Sequence, residues 1–340
     1  MKVGILTGGG DCPGLNPVIR AAVKTSINEG YEVVGIQNGW KGLVDNITHP
    51  LDLTSVSGIL HRGGTVLGTS RTNPYKDPVL LEKLKANWKK MGLDALIAIG
   101  GEDTLGVASK LCKEGFKIVG VPKTIDNDLS GTDFTFGFDT AVNIAMEAID
   151  RLHSTAESHR RIMVVEVMGR HAGWIAIHSG LAGGADLVLI PEQPIQMKEV
   201  LGVIKKRNER GKNFSIIVVA EGAKFEGNEV TLETKLDAFG HVRLGGIGEL
   251  LARKIEETTG FETRVTVLGH IQRGGSATAF DRMLGTRFGQ KAVQLVKNGQ
   301  FGQMVALRGN EIVPVAIEVA VGKLKTVDPE FYNMAKTFFG

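Results

Sequence analysis

Two aspartates two positions apart, Asp126 and Asp128 in "PKTIDND", carry the sharpest chemical signal in the sequence. Pro122 ends the apolar run before them, and Lys123 stands beside them. Carboxylates so placed can divide labour, one accepting a proton while the other holds a divalent cation near phosphate. An aspartate-rich turn accounts for the same residues, and composition alone favours that turn. Glu102 in "GGEDT" adds another acid, because acids at neighbouring strand ends of a parallel sheet converge. Mg2+ takes only one or two carboxylates and completes its shell with water and phosphate oxygens.

Glycine and arginine supply the other half of such a site. "TGGGDCPGLN" lacks the Lys-Ser/Thr ending of a P-loop and does not fit G-x-G-x-x-G. Successive backbone N–H groups at a helix start still hold an anion, although a tight turn between strand and helix explains the glycines equally well. Arg161, Arg170, Arg264 and Arg273 flank strand candidates, and His270 sits in "LGHIQRGG". A guanidinium pairs with phosphate oxygens at two points. Glu221 in "VAEG" is placed to accept hydrogen bonds from sugar hydroxyls or to cap the next turn. The equipment is that of phosphoryl transfer. Asp103 is the odd member, a carboxylate placed where glycines ordinarily make room for phosphate.

The elements that must position these residues are legible as alternation. Strand candidates are "VGILTG" (3–8), "ALIAIG" (95–100), "KIVGV" (117–121), "IMVVEV" (162–167), "DLVLI" (186–190), "SIIVVA" (215–220) and "RVTVLG" (264–269). A helix over 139–157 is expected from the apolar face of Ala141, Ile144, Ala145, Ala148, Ile149 and Leu152. "IGELLARKIEETTG" predicts another, ending at Gly260, and "MVALRGNEIVPVAIEV" predicts a hairpin. The stretch 222–246 reads as a long connection or a small hairpin. Strands apolar on both faces, alternating with helices, predict an α/β fold with parallel sheets. Ligands bind such folds at the carboxyl ends of the strands, where these motifs gather.

The chain as a whole has 340 residues, 42% of them hydrophobic and 23% charged, enough for about two domains. A net charge of +3 gives no reason to expect nucleic acid or a membrane surface as partner. Cys12 and Cys112 make neither a metal pattern nor a disulfide framework, which suits a reducing cytoplasm. No run approaches the length of a spanning helix, and "MKVGILTGGG" reads as a first strand rather than a signal.

In order along essentially its whole length, "GGGDCPGLN", "GGTVLGTSR", "GGEDT", "PKTIDND", "FGFDTA", "SHRRIMVVEVMGRHAGW", "AEG" and "ETRVTVLGHIQRGG" resemble the phosphofructokinase family. The resemblance implies two parallel-sheet-rich α/β domains with the active site in the cleft between them. It implies a phosphoryl-donor domain over 1–138 plus about 272–322, and a sugar-phosphate domain over about 139–271 plus 323–340. It further implies phosphoryl transfer to the 1-hydroxyl of fructose 6-phosphate, assisted by Mg2+. By position, Asp126 matches the base, Asp128 and Glu102 the metal acids, and Gly10, Arg71 and Thr124 the surroundings of the transferred phosphate. Arg170 matches an arginine that steadies its developing charge. Met168, Gly169 and Glu221 match the sugar lining, and His270 and Arg273 the 6-phosphate clamp. Arg161 and Arg264 match arginines that reach the neighbouring subunit's site, which implies a homodimer or homotetramer.

Relatives that use ATP are similar here but have glycine at the position of Asp103; those that use pyrophosphate typically have aspartate there and lysine at the position of Lys123. A carboxylate fills the space of the nucleotide's α-phosphate and repels it, two unit charges 4 Å apart interacting by about 4 kcal/mol at an effective dielectric of 20. Pyrophosphate is therefore the expected donor, with ATP as the alternative. A non-catalytic, sugar-phosphate-sensing subunit is the third reading, weakened by the presence of Asp126, Asp128 and Arg170. The region matching the family's effector site has Arg20 but Lys24, Leu53, Thr54 and His153 at or near other arginine positions, so a non-allosteric enzyme is expected.

Overall fold

The computed structural model describes residues 1–227 and 244–340; most of the 222–246 stretch lies outside the described residues. In chain order the first elements are β1 (Lys2–Thr7), α1 (Leu15–Asn28), β2 (Glu32–Ile36), α2 (Trp40–Asp45), β3 (Thr48–Pro50) and α3 (Pro78–Met91). Then come β4 (Ala95–Gly100), α4 (Glu102–Lys113), β5 (Ile118–Pro122), α5 (Phe138–His159), β6 (Ile162–Val167) and α6 (Trp174–Ala182). Next are β7 (Leu187–Leu189), α7 (Met197–Glu209), β8 (Ser215–Ala220), α8 (Ile247–Thr259) and β9 (Thr263–Val267). A 3-10 turn over Gly269–Arg273 precedes α9 (Ala279–Lys297), β10 (Gln303–Arg308), β11 (Glu311–Ala316), α10 (Ile317–Gly322) and α11 (Pro329–Lys336).

These elements form two compact units. The first comprises Met1–Ile125, Leu129–Thr140 and Arg273–Leu324; the second comprises Asp126–Asp128, Ala141–Gln272 and Lys325–Gly340.

The first unit holds a sheet in the order β11-β10-β5-β4-β1-β2-β3. Its centre is parallel, and antiparallel pairs β2–β3 and β10–β11 close the two edges. Every residue of "ALIAIG" is buried, the mark of a strand covered on both faces. The predicted C-terminal hairpin is β10–β11, whereas β2 and β3 lie outside the runs read as strands. Local signals set helix limits: α3 begins where Asp77 accepts a hydrogen bond from Val79 N–H with Pro78 in the first turn, and stops at left-handed Gly92. Chain order reverses between β1 and β4, which makes the carboxyl ends of that pair the ligand-binding position of the sheet.

The second unit is built on a wholly parallel sheet in the order β7-β8-β6-β9. β6 and β8 are buried throughout, and Ile247, Leu251 and Ile255 of α8 pack into the same core. α8 ends at Gly260 as expected. Its start is fixed by a buried carboxylate, Glu166 on β6, which accepts hydrogen bonds from the N–H groups of Gly246 at 3.2 Å and Gly248 at 2.8 Å. The expected strand over 264–269 is shifted: β9 runs from Thr263 to Val267, and the chain then tightens into the 3-10 turn that carries His270. β6 sits between β8 and β9, so its carboxyl end is flanked by theirs.

Candidate active site

In the first unit the loop after β1 is gripped from two sides. Thr69 Oγ1 donates to the Gly9 carbonyl at 2.5 Å, and Lys123 Nζ donates to the Gly10 carbonyl. Lys123 is only 3% exposed, so its ammonium depends on such acceptors rather than on water. Lys123 follows Pro122 at the end of β5, and an isolated parallel bridge to Phe136 fixes its backbone. The next residue, Thr124, has its carbonyl held by Thr135 Oγ1 at 2.8 Å.

Arg273 covers the same loop. A Cβ on Gly10 would lie 1.7 Å from its Nη1, so only glycine permits this approach. Two cations therefore meet at Gly10, which turns a glycine-rich bend into a place for an anion. Beside it, β4 ends at Gly100, Gly101 caps α4, and Glu102 and Asp103 form that helix's first turn. The partial positive charge of a helix start favours both acids. With Asp103 half-buried and Glu102 exposed, that start already carries negative charge. Arg71 is exposed in the segment just after Thr69.

In the second unit the carboxyl ends of β6, β8 and β9 supply Met168–Arg170, Glu221 and His270. Gln272 is fully buried, and its Oε1 accepts the Met168 N–H at 2.9 Å. Arg170 has φ of 52°, a left-handed conformation that costs a side-chain-bearing residue about 1–2 kcal/mol. The surroundings hold it there. Its N–H donates to Glu221 Oε1 at 3.1 Å, and a Cβ on Gly222 would fall 1.8 Å from its carbonyl oxygen. Strain maintained in this way is a feature of functional loops. Glu221's carboxyl is pushed up to about 7, first by burial and then by the negative charge of Asp126. Asp126 itself is 4% exposed, while Asp128 is half-buried.

Arg161 and Arg264 are set apart from these groups. Arg161 precedes β6 and Arg264 is the second residue of β9, so both lie at the amino ends of strands whose carboxyl ends carry Met168 and His270. Six residues at about 3.3 Å each put roughly 16–20 Å between the two ends. Both arginines pair with Glu262, Arg161 Nε at 2.6 Å and Arg264 through Nη2. The Arg161 hydrogen bond holds the Glu262 carboxyl below its usual range.

Sequence reasoning missed the residues that brace these loops, notably Glu166, Glu192, Gln272 and Trp174. Only Glu192 lay outside the quoted motifs; Glu166, Trp174 and Gln272 lay within them without being singled out. All four act through backbone groups distant in sequence, and such contacts leave no local spacing to read.

The family model described as Phosphofructokinase matches residues 2–296. The chain belongs to the phosphofructokinase family. A protein of Streptomyces coelicolor named pyrophosphate–fructose 6-phosphate 1-phosphotransferase is 60% identical over 343 residues, with 100% of both chains covered. From the same organism, a protein named ATP-dependent 6-phosphofructokinase 3 is 51% identical, with 99% of each chain covered. Among solved structures, that of Pichia pastoris phosphofructokinase in the T-state matches with a TM-score of 0.88 and 31% identity. It covers 99% of this chain, which spans only 39% of the Pichia chain.

Proposed function

We propose that this chain reversibly transfers a phosphoryl group from pyrophosphate to the 1-hydroxyl of fructose 6-phosphate, giving fructose 1,6-bisphosphate and phosphate. The observation that carries the choice of donor is the pairing at the ends of β4 and β5. Asp103 places a carboxylate in the first turn of α4, and Lys123 holds a buried ammonium against Gly10. A short diphosphate gains the cation, whereas a nucleoside triphosphate must also bring an α-phosphate up to a carboxylate.

In this reading Asp126 accepts the proton of the sugar 1-hydroxyl as its oxygen attacks phosphorus, and the P–O bond to the leaving phosphate breaks. Lys123, Arg71, Gly10 and Thr124 position the donor, and Arg170 meets the charge that develops during transfer. Met168, Gly169 and Glu221 hold the sugar, and His270 and Arg273 its 6-phosphate. Arg161 and Arg264, remote from the carboxyl ends of β6 and β9, serve the site of a second copy in a homodimer or homotetramer.

Glu102 and Asp128 fit Mg2+ by donor chemistry, since hard carboxylate oxygens suit it. Among the described residues no group of three or more metal-ligating side chains occurs, and an ion that draws on water and phosphate requires none. When bound, Mg2+ neutralises charge on the donor's phosphate oxygens. A cytoplasmic setting suits a sugar-phosphate enzyme with two free thiols; among the described residues no helix is long and apolar enough to cross a membrane. The reading also has the enzyme respond hyperbolically, because Leu53 and Thr54 bring no charge and His153 is bound to the Gly183 carbonyl at 2.7 Å.

The test is fructose 1,6-bisphosphate formation with Mg2+ and either pyrophosphate or ATP, by the native protein and by Asp103→Gly. Turnover with pyrophosphate alone, and a gain of ATP use in the variant, is the expected result. Turnover with ATP alone would leave the family standing and overturn the donor.

A further inference from the structure

In the second unit, the short segment Lys325–Val327 touches both loops that carry the proposed chemistry. The Lys325 N–H donates to the Asp128 carbonyl at 2.9 Å. The Lys325 carbonyl in turn accepts from Trp174 Nε1 at 2.9 Å, and the Lys325 ammonium lies over the indole, 5.3 Å from its centroid. Two residues on, the Val327 N–H donates to Glu192 Oε1 at 2.8 Å. Both oxygens of Glu192 also accept from the Gly173 N–H, at 3.0 and 3.1 Å. Gly173 and Trp174 end the loop that begins at Gly169 and contains the left-handed Arg170.

We propose that Lys325–Val327 is a positioning strap for catalysis, with Trp174 and Glu192 as positioning residues that set Arg170's loop relative to Asp128. The proposal rests on the phosphotransferase reading for its kinetic consequence, and on hydrogen bonds alone for its structural one. The physical basis is registration. Asp128 and Arg170 come from segments about 40 residues apart; the Asp128 carbonyl accepts from Lys325, while the loop of Arg170 is tied to the same three-residue stretch by Trp174, which donates to the Lys325 carbonyl, and by Glu192, which accepts from both Gly173 and Val327. The strap is itself pinned: α11 follows it directly, with Phe331 stacked on Trp174 at 6.4 Å and Tyr332 Oη bonded to the Val188 carbonyl at 2.9 Å. Misplacement of a reacting group by about 1 Å can cost 10²-fold in rate, so a small slackening registers in turnover before it registers in folding.

Two substitutions test it on the full chain. Trp174→Phe keeps an aromatic ring against Phe331 while deleting the N–H that reaches Lys325 and narrowing the face beneath its ammonium. Glu192→Ala removes both acceptors, while Glu192→Gln keeps one oxygen. The expected result with pyrophosphate as donor is a fall in kcat of about tenfold for Trp174→Phe and Glu192→Ala, with KM for fructose 6-phosphate within twofold and partial recovery in Glu192→Gln. Hydrogen–deuterium exchange should rise in the peptide spanning 124–131 and stay unchanged across β6 and β8. Unchanged kcat and unchanged exchange at 124–131 would overturn the proposal. So would faster exchange spread evenly through β6 and β8, because that marks a merely structural role. An inactive native protein would refute the phosphotransferase reading, and the exchange measurement would still decide the strap.

Discussion

Lys123 Nζ donates its hydrogen bond to the carbonyl oxygen of Gly10, joining the end of β5 to the loop after β1. Lys123 is buried, and the Arg273 guanidinium approaches the same loop at Gly10. On the proposed reading, a diphosphate entering here meets the Lys123 ammonium already in place, the condition under which charge stabilisation contributes most.

Replacing Lys123 by Met keeps the length of the side chain and deletes its charge. The expected outcome is a loss of kcat with pyrophosphate of about 10²–10³-fold, typical of removing a preorganised donor. Steady-state kinetics beside a melting curve checks it, since retained folding with retained turnover would exclude Lys123 from donor binding.

Gly10→Ala tests the other contact. The added methyl must displace Arg273 Nη1, which lies 1.7 Å from its ideal place. The flexible guanidinium can swing away, so the fold should survive while turnover drops about 10²-fold. Full activity in the alanine variant would show that Arg273 has no fixed role over the loop.

Glu221 gives a dependence on pH. Its folded pKa of about 7 lies above the usual 4.5 because burial, aided by Asp126, disfavours the carboxylate. A group raised in this way lends its stability in full below the unfolded value and loses it as pH rises through the folded one. Glu221→Gln should therefore melt higher than the native protein at pH 8 and within about a degree of it at pH 5. If the carboxylate accepts hydrogen bonds from sugar hydroxyls, the native KM for fructose 6-phosphate should improve through pH 7 more steeply than that of the variant. That comparison removes the titration of the sugar phosphate itself.

Asp281 is fully buried at the start of α9 and accepts two hydrogen bonds from Thr140, from N–H at 2.8 Å and from Oγ1 at 2.6 Å. Burial raises its carboxyl to about 6. Asp281→Ala leaves both Thr140 donors without this acceptor, at an expected cost of about 1–3 kcal/mol. Urea unfolding measures it, and a loss under 0.5 kcal/mol would mean that water replaces the carboxylate.

The central strands and the motifs at their ends were legible because both are local. Apolar runs of six and the corners "GGEDT", "PKTIDND" and "LGHIQRGG" declare themselves within a window of ten residues. β2 and β3 were less legible, since "EVVGI" begins with charge and β3 has three residues at a sheet edge. The 3-10 turn of His270 was hidden behind a run that looked wholly extended. Arg273 shows the limit of reading a motif as one object. It stands three residues from His270 in sequence, yet it falls in the first unit, against Gly10, while His270 falls in the second.

The order of the strands bears on how the chain is made. β5 pairs on one side with β4, a short connection earlier, but on its other side with β10, where Gly120 meets Met304. Nearly the whole second unit is synthesised between those two strands. At translation rates of about 5–20 residues per second, β5 waits roughly 10–40 s on the ribosome before its partner emerges. Throughout that interval one edge of the first sheet is an open template for β pairing. A nascent chain stalled before residue 304 should thus be a preferred client of trigger-factor-like chaperones, since β5 still lacks its partner strand when residues 141–272, the bulk of the second unit, have already been made.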